Sequence, residues 1–187
     1  LIMKLLCACR MCRPDLATAI HRLATHISRW NGECDRRLAR LYGYVKASLN
    51  RTLKGELPSA ASCTNLELRL WCDADLAGDW MSTKSTSGFF LELTSTAGGD
   101  ACGFTFPPSW GSREQLGTAH GTPESEVVSL AHGARTELLP MLDLLSCMLP
   151  RMNVHPVALD DNEATVAICR KGYSPALRHL CRNTAHV

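Results

Sequence analysis

The chain carries no surplus of charge: 20 Lys and Arg stand against 18 Asp and Glu in 187 residues, a formal net charge of +2. That balance excludes a protein that coats DNA through bulk basicity, so any contact with nucleic acid must come from local patches. Long apolar runs are missing as well. The longest, "LLPMLDLLSCML", is broken by Pro140 and Asp143 and falls short of a membrane span. The opening "LIMKLLCACRMCRPD" has no small-residue cleavage site after a full apolar core, which argues against a secretory leader. The first residue is Leu rather than Met, so the chain is expected to be a fragment of something longer. There is no G-x-S-x-G, no H-E-x-x-H and no G-x-x-x-x-G-K-[ST], which removes the commonest signatures of Ser hydrolases, zinc proteases and phosphate-cradling loops. The 7 histidines are dispersed, with no ligand-like pair. His179 and His186 could meet a substrate, or serve as ordinary surface or capping residues.

What the chain does have is 10 cysteines and a 45% hydrophobic content, enough apolar material for one compact domain and a smaller attachment. Cys7, Cys9 and Cys12 lie close together, but no Cys or His pair with finger spacing follows. Without secretion signals, free buried thiols in a reducing compartment are expected, and a zinc site is the lesser alternative.

The first fifty residues read as helical. In "RPDLATAIHRLATHISRW", Pro14 suits a first helical turn, and Leu16, Ile20, Leu23 and Ile27 recur at three- and four-residue steps, with His21, Arg22 and His26 among the polar positions. In "ECDRRLARLYGYVKASL", Leu38, Leu41, Tyr42 and Val45 make the stripe. Its basic residues Arg36, Arg37, Arg40 and Lys46 could touch phosphate or line a solvated face. Residues 51–65, rich in Gly, Pro, Ser and Asn, read as a linker between a 1–50 helical segment and a 66–187 domain.

From Leu66 the period becomes two. Leu66, Leu68, Leu70 and Cys72 alternate with Glu67, Arg69, Trp71 and Asp73, which predicts a half-buried strand with Asp73 on the face opposite the leucines. "SGFFLELTS" and "GDACGFTFPPSW" read as two further strands joined through a Gly-rich "TAGGD" hairpin, giving an antiparallel meander. "TPESEVVSLAHGARTELLPMLDLLSCML" predicts a long helix with Thr122 as N-cap, Val127, Leu130, Ala131, Ala134 and Leu138 on one side, and a kink near Pro140. A short strand then leads through Asp160, Asp161 and Asn162 into a helix ending near Gly172. A strand reached through a crossover helix should lie parallel to a neighbour, so the fold class is mixed α/β.

Asp73, Glu126 and Asp161 thus sit at element ends. If they converge, their hard oxygen donors suit two Mg²⁺ or Mn²⁺ ions, set about 4 Å apart, that clamp the oxygens of a phosphoryl displacement. Each acid also has a plainer reading. Asp73 and Asp75 could be turn residues, Glu126 could complement a helix dipole, and Asp161 could be an N-cap.

In their order, these motifs resemble the end of the reverse transcriptase region and the ribonuclease H domain of copia-type retrotransposon Pol polyproteins. "CDADLAGDWMSTKSTSGF" resembles that family's S-D-A-D-W-A-G-D followed by K-S-T-S-G. "SWGSREQLGTAHGTPESEVVSL" resembles its S-W-S-S-K-K-Q and S-S-T-E-A-E-Y, "LDDNEATVAI" its C-D-N-Q-S-A-I, and "RPDLATAI" its T-R-P-D-I helix. The resemblance implies a ribonuclease H-like fold: three antiparallel strands, then helix, strand and helix, preceded by a small helical segment. It implies a metal-dependent endonuclease cutting the RNA strand of RNA-DNA hybrids. Asp73, Glu126 and Asp161 would be the catalytic and metal-binding carboxylates, and Asp161 is preferred to Asp160 and Glu126 to Glu124. Two Mg²⁺ or Mn²⁺ ions are expected as cofactors. Lys84, Arg113, Arg36, Arg37 and Arg40 are the expected backbone contacts. The implied partners are an RNA-DNA hybrid and the rest of the polyprotein, with no membrane and no small-molecule cofactor, in a cytoplasmic virus-like particle or the nucleus. The family's fourth carboxylate follows one more strand, beyond Val187, and an inactive nucleic-acid-binding or polymerase-packing fragment is the alternative function.

Overall fold

Leu66, Leu68 and Leu70 are buried and Asp73 is exposed on the other face of the same strand, as the two-residue alternation requires. The computed structural model describes residues 2–56, 65–78, 83–95 and 104–181. Within them lie four strands: β1 (Asn65–Asp75), β2 (Thr86–Ser95), β3 (Thr105–Glu114) and β4 (Asn153–Leu159). They form one sheet in the order β3-β2-β1-β4, with β1–β2 and β2–β3 antiparallel and β1–β4 parallel. The predicted meander and the parallel fourth strand are both present. The "TAGGD" hairpin and His186 lie outside the described residues.

β3 begins later than expected within the described residues and runs four residues past Trp110, to Glu114. It tolerates Pro107 and Pro108 because it is an edge strand, and because the register slips there: Leu91 faces Ser109 while Leu93 faces Phe106. The extra residue on β3 makes a bulge, the place in a ladder where missing N–H donors cost least.

The first helices are α1 (Ile2–Cys12), α2 (Ala17–Ala24) and α3 (Gly32–Ala47), with Pro14–Leu16 forming a 3₁₀ turn before α2. Asn31 caps α3 by accepting from the Cys34 N–H at 3.0 Å. Leu16, Ile20 and Leu23 are buried with Ile2, Leu5, Cys9, Cys34 and Leu41 in one apolar cluster. Ile27, expected on the same stripe, is 56% exposed because α2 stops at Ala24 and the 3.6-residue register ends with it. A second cluster under the sheet gathers Leu66, Leu68, Leu70, Cys72, Leu91, Leu93, Phe104, Leu138 and Leu145. Each such side chain contributes about 1.5–3 kcal/mol of burial free energy.

The long helix departs from its expected form. Gly121, not Thr122, is the N-cap of α4 (Thr122–Gly133). A π-helical turn at Ala134–Leu138 then joins it to α5 (Leu139–Met148), where Pro140 occupies the first turn. The widened turn lies just before Pro140, a residue that has no N–H to give the preceding carbonyls. The face of α4 against the sheet is small and polar, with Ser125, Ser129 and Gly133 all buried, whereas Ala131 is exposed. A Cβ on Gly133 would lie 3.0 Å from Cys72 Sγ and 3.3 Å from the Leu70 methyls, so α4 approaches β1 more closely than a leucine-faced helix could. After β4, α6 (Glu163–Lys171) ends on Gly172 with φ 67, the left-handed C-cap expected there, and α7 (Arg178–Cys181) follows. Among the described residues no helix is long and apolar enough to cross a membrane.

The described cysteines are free, and no zinc cluster forms among the described residues. Cys9, Cys34 and Cys72 are buried as expected, but Cys7, Cys147 and Cys169 are exposed. Those three lie on α1, α5 and α6 respectively.

Candidate metal centre

β1 carries Asp73, α4 carries Glu126, and the turn after β4 carries Asp161. One carboxylate oxygen from each lies within 4.8 Å of the other two. Two features of the fold bring this about. In the parallel β1–β4 pair Trp71 stands opposite Leu159, so two residues further along each chain Asp73 and Asp161 come level. Across β1, the close approach of α4 lets Ser129 Oγ donate to the Asp73 carbonyl at 3.0 Å, which holds Glu126, one turn earlier, beside the strand end. Buried Gln115 anchors the start of α4, its amide donating to Ser87 Oγ on β2 and to the Ser125 carbonyl, both at 2.9 Å.

Glu126 is only 4% exposed, and its Oε2 has no hydrogen-bond partner. Burial pushes its carboxyl pKa up to about 7, and Asp160, Asp73 and Asp161 add to the rise, while a hydrogen bond from the Ala74 backbone opposes it. A buried carboxylate beside three others is costly while charged, a cost that a proton or a bound cation would relieve. The donor set, carboxylate oxygens only, suits a hard divalent ion.

The plainer readings fare unevenly. Asn162, not Asp161, caps α6, accepting from the Thr165 N–H at 3.1 Å. Glu126 lies buried beyond the first helical turn, where the acid is Glu124. Glu124 instead meets His179 Nε2 at 2.6 Å and accepts from the His120 N–H at 2.9 Å. Burial raises the pKa of Glu124, but these bonds outweigh it and hold the carboxyl below its ordinary value. Asp75 is 3.7 Å from Arg22 and does not join the cluster.

The resemblance prefers Asp161, yet Asp160 is the more enclosed of the two. Its Oδ1 accepts from the Asn162 N–H at 2.9 Å, its Oδ2 is buried without a partner, and burial raises its pKa. The Asp-Asp doublet was the only sequence signal for it.

A cleft of about 750 Å³ opens on the Asp73 face of the sheet, lined by Trp71, Asp73, Gly88, Phe90, Trp110 and Asp161 below and by Pro14, Ala17, Thr18 and Arg22 of the helical segment. The expected basic contacts do not line it. Arg36 and Arg37 pair with Glu33 on their own helix at 2.6 and 3.0 Å, and Arg40 is exposed there. Lys84 pairs with Glu114 at 3.1 Å. Arg113 sits beside His132 of α4 at 3.5 Å, on the other face of the sheet. Among the described residues, the cation that does reach the cleft is Arg22, visible in the sequence only as one polar position of α2.

No protein-family model matches the chain, and no solved structure matches it significantly. Among the proteins it does match are two polyproteins of one plant. The chain is 28% identical over 160 residues, 84% of its length, to the retrovirus-related Pol polyprotein from transposon RE1 of Arabidopsis thaliana. It is 27% identical over 165 residues, again 84% of its length, to the corresponding polyprotein from transposon RE2 of the same plant. The matched stretch is 10% of each of those polyproteins, so the chain is similar to a small part of a retrotransposon Pol polyprotein.

Proposed function

We propose that this chain is a ribonuclease H-like module of a retrotransposon Pol polyprotein, a metal-dependent endonuclease for the RNA strand of RNA-DNA hybrids. The observation that carries the reading is the convergence of Asp73, Glu126 and Asp161 from three separate elements, with a buried, unpartnered oxygen on Glu126. The similarity to retrotransposon Pol polyproteins supports it, and so does a mixed sheet whose parallel pair levels two of the acids.

Asp73, Glu126 and Asp161 would hold Mg²⁺ or Mn²⁺, with two ions the expected complement. When bound, such ions polarise a phosphodiester and supply a nucleophilic water at neutral pH. The chain itself contributes position. Ser129 fixes the strand end that bears Asp73, and the small face of α4 sets the depth of Glu126. Glu126 must lose its proton before it can serve as a ligand. Preference for a hybrid would rest on phosphates and on the 2′-hydroxyls of its RNA strand.

The test is cleavage of an end-labelled RNA-DNA hybrid, by this chain and by the chain extended into the polyprotein sequence that follows, with Mg²⁺ or Mn²⁺. Cutting of the RNA strand is expected only with the divalent ion, and at least a hundredfold slower in Asp73→Asn. Cutting by Asp73→Asn at the wild-type rate, or no cutting by either chain, rules the reading out.

A further inference from the structure

The outer face of the sheet carries an aromatic row that the metal centre does not use. Trp71 on β1 stands opposite Phe90 on β2, and Phe90 opposite Trp110 on β3, so three aromatic positions form one row across the sheet. Phe90 and Trp110 have centroids 6.5 Å apart and planes 26° apart. Trp110 Nε1 donates to the Cys9 carbonyl at 2.8 Å, which ties this end of the row to the helical segment. Trp71, at the other end, is 46% exposed, with its ring held by a bond from Nε1 to Glu92 Oε2 at 3.3 Å. Large aromatic rings are usually buried, so a row lying open to a cleft needs an explanation.

The next row along the sheet is Asp73, Gly88 and Ser112. Gly88 leaves its centre empty: a Cβ there would have only the Asp73 carbonyl nearby, at 3.8 Å. Gly88 therefore puts no side chain between the aromatic row and Asp73. Trp71 and Asp73 are two residues apart on one strand, about 7 Å, so a planar group lying on Trp71 would have its neighbouring substituent at the acids. Arg22 forms part of the opposite wall.

We propose that this cleft binds an unpaired nucleotide stretch of single-stranded nucleic acid, with a base stacked on Trp71 and Phe90 and the adjoining phosphate at Asp73 and Asp161. Flat π faces in a groove with room for a ligand of that size are what sequence-tolerant single-strand binding uses. The acids alone would repel the phosphate, so the proposal rests on the metal reading above. Divalent ions held at the carboxylates would add positive charge to that of Arg22, the one cation lining the cleft among the described residues.

The experiment is fluorescence anisotropy of a short labelled single-stranded DNA, which is not the proposed substrate for cutting, titrated with the full chain in Mg²⁺ and in EDTA. Wild type is compared with Trp71→Ala, Trp71→Phe and Gly88→Val, each checked for an unchanged thermal transition. Valine suits a strand interior, so Gly88→Val fills the open floor without straining the backbone. In Mg²⁺, Trp71→Ala and Gly88→Val are expected to bind about tenfold or more weakly, and Trp71→Phe close to wild type. Equal affinity of wild type and Trp71→Ala overturns the proposal. If Mg²⁺ strengthens binding equally in those two, stacking is wrong and the metal reading stands. A loss in Trp71→Ala that is the same in EDTA as in Mg²⁺ overturns the role given to the ions and leaves the stacking intact.

Discussion

Ser129 Oγ donates to the Asp73 carbonyl at 3.0 Å, and this bond between a helix side chain and a strand backbone sets how far Glu126 stands from Asp73. Ser129 is 2% exposed, so its surroundings cannot easily give. Ser129→Ala removes the bond and leaves the carbonyl short of a donor, at a cost of about 1 kcal/mol. Ser129→Leu also overpacks the helix–sheet contact, at about 1–3 kcal/mol, and pushes Glu126 outward. Urea unfolding should show that order. The Mg²⁺-induced rise in melting temperature should survive in the alanine variant and disappear in the leucine variant.

Gly133 provides a second measure of the same closeness. In an exposed helix, Gly→Ala stabilises by roughly 1 kcal/mol. Here the new methyl would meet Cys72 Sγ at 3.0 Å and the Leu70 methyls at 3.3 Å, between packed elements. Gly133→Ala is therefore expected to destabilise by about 1–2 kcal/mol. Cys72→Ala opens space at the sulfur, so adding it to Gly133→Ala should cost less than the sum of the two single changes. Strict additivity in a denaturant cycle would remove the close contact from the account.

These two contacts also show why the site was only partly legible in the sequence. β1 could be read because a half-buried strand alternates large apolar residues with polar ones, and Asp73 lies on the predicted face. Asp73 and Asp161 stand at or just past the ends of strands, where acids draw notice, whereas Glu126 lies beyond the first turn of α4. The buried face of α4 could not be read, since burial by Ser125, Ser129 and Gly133 carries no apolar signal. An apolar stripe would place Ala131 inside, and it is exposed. The arginines of α3 looked available from spacing alone, but Glu33 lies three and four residues away from Arg36 and Arg37, and such neighbours meet on a helix. Arg22 was obscure for the opposite reason. Its place at the cleft depends on how α2 packs near β3, which no local pattern records.

The raised pKa of Glu126 makes the metal-free protein sensitive to pH. Burial and the neighbouring acids lift it from its ordinary 4.5 to about 7, so the protonated form is favoured in the folded state. The stability gained through that proton is fully present below pH 4.5 and is lost as pH rises through about 7, a change of roughly 3 kcal/mol. Glu126→Gln, neutral throughout, should therefore gain stability relative to wild type between pH 5 and pH 8 in EDTA. Mg²⁺ competes with the proton, so its stabilisation of wild type should be larger at pH 8 than at pH 6. A wild-type-to-Gln difference that stays flat across this range would show that Glu126 does not titrate there.

The bond between Glu124 and His179 should matter for stability and not for the ion. It ties α7 to the first turn of α4, with Glu124 Oε1 and His179 Nε2 2.6 Å apart and the His120 N–H on the other oxygen at 2.9 Å. The Glu124 pKa is depressed, so its contribution is present at neutral pH and is lost as the pH falls through the carboxylate range. His179→Ala is expected to cost about 1–2 kcal/mol at pH 7 and distinctly less once the pH is low enough to protonate the carboxyl in the folded chain as well as the unfolded one. Glu124→Gln keeps an acceptor oxygen and should cost less than Glu124→Ala. Glu124 is not one of the three converging carboxylates, so the midpoint of a Mg²⁺ titration followed by melting temperature should be the same in His179→Ala as in wild type. A shifted midpoint would draw Glu124 and His179 into the ion-binding group.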